Sequence, residues 1–180
     1  MNLDNEYFYE QMKRPLSNFD IYKIFNNKIN IYSYDELKKY KSISELFKPY
    51  DAFFILYETK KNYGHWVCLC RDSDHIYFFD SYGLAPDEQL KYINKKYFPY
   101  LSYLLLQSKK ILKYNKFRLQ DLKDSAGDYL NNKFKNATCG RFCCLFVLLY
   151  RYIDIDEFAK IFLGSSVNLD YLITVLTHYI

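Results

Sequence analysis

No stretch of this 180-residue chain is apolar for long enough to cross a membrane, and Met1-Asn2-Leu3-Asp4 carries no signal-peptide pattern. The chain is therefore expected to act inside a cell or a particle, and not to be secreted. Internal repeats and low-complexity linkers are also missing, so one domain over residues 1–180 is expected, long enough to bury a real core. The five cysteines are an odd number without zinc-finger spacing, which makes reduced thiols the expectation and leaves no metal site. Cys68-x-Cys70 is the pair that could suggest a metal, but in the strand register derived below both face the core. Histidine is scarce, with three residues. His75 falls in a turn and His178 near the C-terminus, so His65 is the strong base candidate.

What the chain does have is Thr138-Cys139-Gly140-Arg141-Phe142-Cys143-Cys144, running into Leu145-Phe146-Val147-Leu148-Leu149-Tyr150. Thr138 is a plausible N-cap, and the segment after it is apolar almost all round, the mark of a buried helix. Cys139 would then sit at a helix N-terminus, among unpaired N–H groups and the positive end of the macrodipole. Such positions are a known way to lower a cysteine pKa. Cys143 and Cys144 lie a turn further on and read as packing.

Upstream, Trp66-Val67-Cys68-Leu69-Cys70 and Ile76-Tyr77-Phe78-Phe79 are rich in strand formers, separated by turn residues. A loop over Asp72–His75 pairs Arg71 with Ile76 and sets Val67 opposite Asp80. His65 is then diagonal to Asp80 on one sheet face, about 7–8 Å away, within reach of imidazole and carboxylate. A loop one residue longer or shorter would put them on opposite faces. Asp80 alone could be only the start of an Asp-Ser-Tyr-Gly turn.

A carboxylate bonded to one imidazole nitrogen fixes the tautomer and frees the other nitrogen to take a proton from a nucleophile. Cys139, His65 and Asp80 thus supply nucleophile, base and orienting acid, in the order His, Asp, Cys. Gln120 is the candidate oxyanion donor, with the Cys139 backbone N–H as its partner.

These motifs resemble the adenain and SUMO-protease group of cysteine peptidases. Cys139-Gly140-Arg141-Phe142-Cys143-Cys144-Leu145-Phe146 is similar to the adenovirus maturation protease around its nucleophile. The wider set resembles the capsid-maturation proteases of virophages and Polinton-like elements: Leu16-Ser17-Asn18-Phe19-Asp20-Ile21, Gly64-His65-Trp66-Val67, Phe79-Asp80-Ser81-Tyr82-Gly83 with Pro86-Asp87, and Tyr114-Asn115-Lys116-Phe117-Arg118-Leu119-Gln120. The resemblance runs from about Leu16 to about Tyr150. It implies an α+β fold with a central mixed sheet packed on a buried helix that carries the nucleophile. It also implies a cysteine endopeptidase acting on capsid or other precursor polypeptides, in the virion and the infected cell, with cleavage next to glycine or small residues. Trp66 is implied to shape the substrate cleft. DNA or an activating peptide is the accessory such a relative implies; no cofactor, no membrane and a monomer are otherwise expected.

Two departures stand out. The acid is Asp80, as in the SUMO-protease branch, where adenovirus enzymes use glutamate. Nineteen positions, from 120 to 139, separate Gln120 from Cys139, far more than in the adenovirus pattern. The intervening residues read as a polar insertion; a loop that bulges out and returns keeps Gln120 in place at little entropic cost. Asn131, Asn132 and Asn136 are the alternative amides.

Tyr at 21 and Phe at 15, with abundant Asn, Ile and Lys, point to an AT-biased genome. The net charge of +4 therefore says little about partners. Lys109, Lys110, Lys113, Lys116 and Arg118 cluster, but a solvated face accounts for them at least as well as DNA. A protease for a ubiquitin-like modifier and a catalytically silent binding protein of the same fold are the two rival readings.

Along the chain, helices are expected at residues 19–25, 34–47 (after Ser33), 88–96, beyond Pro99, from Cys139, and at 154–163 and 169–179. Strands are expected at 52–57, 66–70, 76–79 and 113–119, with a polar connection over 58–63.

Overall fold

A computed structural model describes residues 3–93, 96–120, 136–178 and 180. Five strands form one mixed sheet in chain order: β1 (Asn30–Ser33), β2 (Ala52–Lys60), β3 (Tyr63–Arg71), β4 (His75–Phe79) and β5 (Ile111–Tyr114). β2, β3 and β4 are antiparallel neighbours, while β1 runs parallel to β2 and β5 parallel to β4. The helices are α1 (Leu3–Lys13), α2 (Asn18–Ile24), α3 (Ile43–Phe47), α4 (Tyr100–Leu106), α5 (Cys139–Leu149), α6 (Ile155–Leu163) and α7 (Leu169–Leu176). Two 3-10 helices cover Tyr34–Lys39 and Glu88–Tyr92. No described helix is long and apolar enough to cross a membrane.

Helices cover both faces of the sheet, which is why the central strands are almost continuously apolar instead of alternating. On one face Trp66, Cys68, Cys70 and Phe79 pack with Ile21, Phe142, Phe146, Phe158 and Ile173. On the other, Val67, Leu69 and Phe78 pack with Leu37, Leu46, Phe47, Leu101 and Leu104. Cys68 and Cys70 are fully buried in the first of these cores. Phe146 stacks on Phe79 with ring centroids 4.8 Å apart, and Phe158 meets both edge-on at 5.3 Å. Such contacts fix α5 against β4 and α6 beyond the effect of area alone.

The β3–β4 hairpin has the register expected from its loop: Arg71 pairs with Ile76 and Cys68 with Phe79. Asp72 sets it. Its Oδ1 accepts from the backbone N–H groups of Asp74 (2.8 Å) and His75 (2.7 Å), an Asx turn that closes the loop.

Elsewhere the structure departs from expectation. The 58–63 connection is mostly strand, with the chain reversing at Lys61-Asn62 and Asn62 in the left-handed region at φ 58°. The 34–47 helix is two pieces, because Tyr40 and Ser42 are extended. The Glu45 carboxylate there accepts from the Lys41 backbone and starts a new helix. Of the helix expected at 88–96, the described residues form a 3-10 turn, Glu88–Tyr92. The Asp87 carboxylate, a helix-capping group by type, is instead taken by the Tyr34 and Tyr57 hydroxyls and the Ser102 N–H. The 113–119 strand ends at Tyr114, since the Asn115 side chain accepts from Phe117 N and diverts the backbone from the ladder. Strand β1 and helix α1 were not anticipated. The insertion between Gln120 and Asn136, with Asn131 and Asn132, lies outside the described residues.

Candidate active site

β3 delivers His65 and the end of β4 delivers Asp80, so the hairpin register brings the two together. His65 Nε2 lies 2.8 Å from Asp80 Oδ1. The same oxygen accepts from Tyr82 N at 2.7 Å, and the Tyr82 ring stacks on the imidazole at 4.2 Å with 12° between planes. Asp80 is held through its backbone too, its carbonyl accepting from Asn115 Nδ2 at 2.6 Å. With Asp80 on Nε2, His65 Nδ1 is the nitrogen without a hydrogen-bond partner in the structure. His65 is 5% exposed and Asp80 1%.

Burial works against a charged His65, but the Asp80 carboxylate, its hydrogen bond and the neighbouring Cys139 sulfur outweigh it. The imidazole pKa is raised well above its usual value. Burial pushes the thiols of Cys68, Cys143 and Cys144 up, which keeps them protonated.

Cys139 is the first residue of α5, and its Sγ accepts a hydrogen bond from the Trp66 backbone N–H at 3.5 Å. No sequence signal marked this contact; it follows from α5 crossing β3 one residue beyond His65. Gly140 eases the crossing, because a Cβ there would lie 3.0 Å from Trp66 Cδ1 and 3.2 Å from Leu16 Cβ, tighter than ordinary contact. Gly64 does the same on β3, where a Cβ would fall 2.0 Å from the Tyr57 carbonyl oxygen.

Thr138 precedes the helix as expected, but its hydroxyl does not cap it. It has helical φ and ψ and donates instead to Asp170 Oδ1 in α7. Gln120 is fully buried beside the same segment, its Oε1 accepting from Ser81 Oγ at 2.9 Å and its Nε2 donating to the Asn136 carbonyl at 3.1 Å. Of the alternative amides, the Asn136 side chain points away and donates to Asp170 Oδ2 at 3.0 Å. Trp66 is nearly buried, with its indole N–H on the Leu16 carbonyl at 2.9 Å, and lines a cleft of about 220 Å³ with Asn18, Tyr32, Leu56 and Glu58. A larger cleft, about 630 Å³, lies at the other end of α5 by Tyr150 and Arg151, remote from His65 and Cys139.

Asp72, Asp74 and His75 offer grouped donor atoms of the kind that hold metals. Both Asp72 oxygens are already hydrogen-bonded within the hairpin, to the Asp74 and His75 N–H groups and to the Tyr77 hydroxyl.

No protein-family model matches the chain. Its fold is shared with the ASFV pS273R protease, at a TM-score of 0.51 and 14% identity, covering 92% of this chain and 67% of that one. The SUMO protease Ulp1, with its catalytic cysteine oxidized to a sulfinic acid, matches at a TM-score of 0.39 and 15% identity over 98% of this chain and 87% of its own. That second likeness is too loose to weigh. The chain belongs to one family with the uncharacterized protein V9 of Sputnik virophage, to which it is 44% identical over 161 residues, 85% of each chain.

Proposed function

We propose that this chain is an adenain-like cysteine endopeptidase that processes viral precursor polypeptides, capsid precursors during maturation foremost, in the virion and the infected cell. The observation that carries the reading is the convergence of His65 bonded to Asp80 with the Cys139 sulfur seated on Trp66 N. A virophage relative and the fold shared with a viral protease support it.

In this reading His65 Nδ1 takes the Cys139 thiol proton, with Asp80 on Nε2 holding the tautomer and steadying the imidazolium. The thiolate attacks the scissile carbonyl carbon. The resulting oxyanion lies between the Cys139 N–H and the second Gln120 amide hydrogen, the first being used on Asn136. His65 returns its proton to the leaving amine, and a water deprotonated by His65 then opens the thioester. The cleft beside Trp66 receives the substrate on the acyl side, with glycine or another small residue at the cut.

The test needs no known substrate at first. Alkylation of Cys139 is followed against pH by peptide mass spectrometry, alongside the other four cysteines, in wild type and His65→Ala. Cys139 is expected to react at least tenfold faster than Cys68, Cys143 and Cys144, and to lose that lead in His65→Ala. Virophage capsid precursors are then offered as substrates to wild type and Cys139→Ala. Equal reactivity of all five thiols, or cleavage that survives Cys139→Ala, would sink the reading.

A further inference from the structure

Gln120 and Cys139 are nineteen positions apart in sequence, yet one residue ties their surroundings together. The Asn136 carbonyl accepts from Gln120 Nε2, and the Asn136 side-chain amide donates to Asp170 Oδ2. Two residues later the Thr138 hydroxyl donates to Asp170 Oδ1. Between them, Ala137 N donates to the Met12 carbonyl of α1 at 2.7 Å. Asp170 belongs to the first turn of α7 and is 3% exposed. A carboxylate so buried is costly unless its oxygens are satisfied, and both of these bond to the three-residue segment entering α5. A second tie, Arg141 Nη1 to Thr177 Oγ1 at 3.3 Å, joins α5 to the end of α7.

We infer that Asp170 is a positioning residue of the site: it fixes the entry into α5 and, through the Asn136 carbonyl, the aim of the Gln120 amide at the oxyanion. The inference rests on the roles given above to Cys139 and Gln120. It ties Gln120 to the entry of α5 through residues 136–138, whatever their distance from Gln120 in sequence. It also accounts for Thr138 failing to cap α5, because its hydroxyl is committed to Asp170.

Two probes separate positioning from bulk stability. A peptide aldehyde, acetyl-Leu-Gly-Gly-al, forms a tetrahedral thiol adduct whose oxygen needs the Gln120 amide; iodoacetamide needs the thiol alone. Asp170→Asn keeps an acceptor for Thr138 but sets an amide donor against the Asn136 donor. It should weaken aldehyde binding about 10- to 100-fold while leaving the Cys139 alkylation rate within about twofold. The reciprocal exchange, Asn136→Asp combined with Asp170→Asn, restores a donor facing an acceptor and should recover most of the aldehyde affinity. The inference is overturned if both probes move together, if neither moves, or if the exchange gives no recovery. Should Asp170→Asn fail to fold by circular dichroism, Thr138→Val, which removes the other arm, must show the same split. If wild type binds the aldehyde no better than Cys139→Ala, the protease reading fails and the inference falls with it. Wild-type binding that Asp170→Asn leaves intact overturns the inference alone.

Discussion

The Ser81 hydroxyl donates to Gln120 Oε1 at 2.9 Å, and that bond holds the oxygen end of the amide. With the oxygen turned to Ser81, the Gln120 nitrogen faces the Asn136 carbonyl and the segment entering α5. The Ser81 carbonyl also accepts from Leu119 N and Gln120 N, so the residue after Asp80 holds both the backbone and side chain of the oxyanion candidate. Ser81→Ala deletes only the hydroxyl and leaves Gln120 Oε1 buried without that donor. Loss of a buried partner costs about 1–3 kcal/mol. Peptidase kcat should fall about tenfold with KM little changed, as steady-state kinetics on a cleaved precursor peptide would show; an unchanged kcat would release Gln120 from its assigned role.

The His65–Asp80 pair makes a pH prediction of definite sign. Burial lowers the imidazole pKa and the Asp80 carboxylate raises it, with the net shift upward. In Asp80→Asn the carboxylate charge is gone and burial remains, so the His65 value should drop below the usual 6.5 or so. An NMR titration of the His65 ring, compared between the two proteins, measures this directly. A group whose pKa is higher folded than unfolded stabilises the fold fully below the unfolded value. That contribution is lost as pH rises through the folded value. Wild-type melting temperature should therefore decline on the alkaline side of about pH 6.5 more than that of Asp80→Asn.

Local chemistry made the hairpin legible in the sequence. Asp72 with Asp74 and His75 defines a loop length, loop length defines register, and register alone puts His65 and Asp80 on one face. Helix α5 was equally legible, because a segment apolar all round has only a core to occupy. What could not be read depended on distant partners. Thr138 has the type of an N-cap, but Asp170, thirty-two positions on, takes its hydroxyl. Asp87 has the type of a helix start, but Tyr34 and Tyr57 take its carboxylate. Strand β1 is four partly buried residues on the sheet edge, too short to show a period. The Trp66 N–H on Cys139 Sγ has no local signature, since backbone donors are the same at every residue.

Gly140 supplies a prediction of its own. Alanine in a helix interior ordinarily stabilises relative to glycine by about 0.5–1 kcal/mol. Here the added Cβ would meet Trp66 Cδ1 at 3.0 Å and Leu16 Cβ at 3.2 Å, tighter than ordinary van der Waals contact, so these neighbours must give by a few tenths of an ångström. Overpacking of that kind costs about 1–3 kcal/mol, so the net effect of Gly140→Ala should be destabilisation by about 1 kcal/mol in urea unfolding. If α5 backs away from β3 to relieve the contact, the Trp66 N to Cys139 Sγ distance stretches. Cys139 alkylation should accordingly change several-fold, whereas Cys139 reactivity identical to wild type would mean that the indole yields instead.

Asn115 supports the acid of the pair from beneath. It is fully buried, and its Nδ2 donates to the Asp80 carbonyl at 2.6 Å and the Phe117 carbonyl at 2.8 Å while its Oδ1 accepts from Phe117 N at 2.9 Å. One side chain therefore ends strand β5, shapes the turn that leads to Gln120, and pins the backbone of Asp80. Asn115→Leu fills a similar volume with no hydrogen-bonding group and strands two carbonyls and an N–H away from water. At about 1–3 kcal/mol for each unsatisfied group, the total would approach the stability of a whole domain, so this variant is expected to be largely unfolded. Asn115→Asp is the informative change. It keeps the Phe117 N–H bond but turns a carboxyl oxygen toward the Asp80 and Phe117 carbonyls; burial raises its pKa, so it is neutral at low pH and, once ionised at higher pH, puts a negative charge next to Asp80. That charge favours the imidazolium form of His65, so the NMR titration of the ring should move upward relative to wild type. A downward shift, or none in a folded protein, would show that Asn115 holds the turn without being felt at the pair.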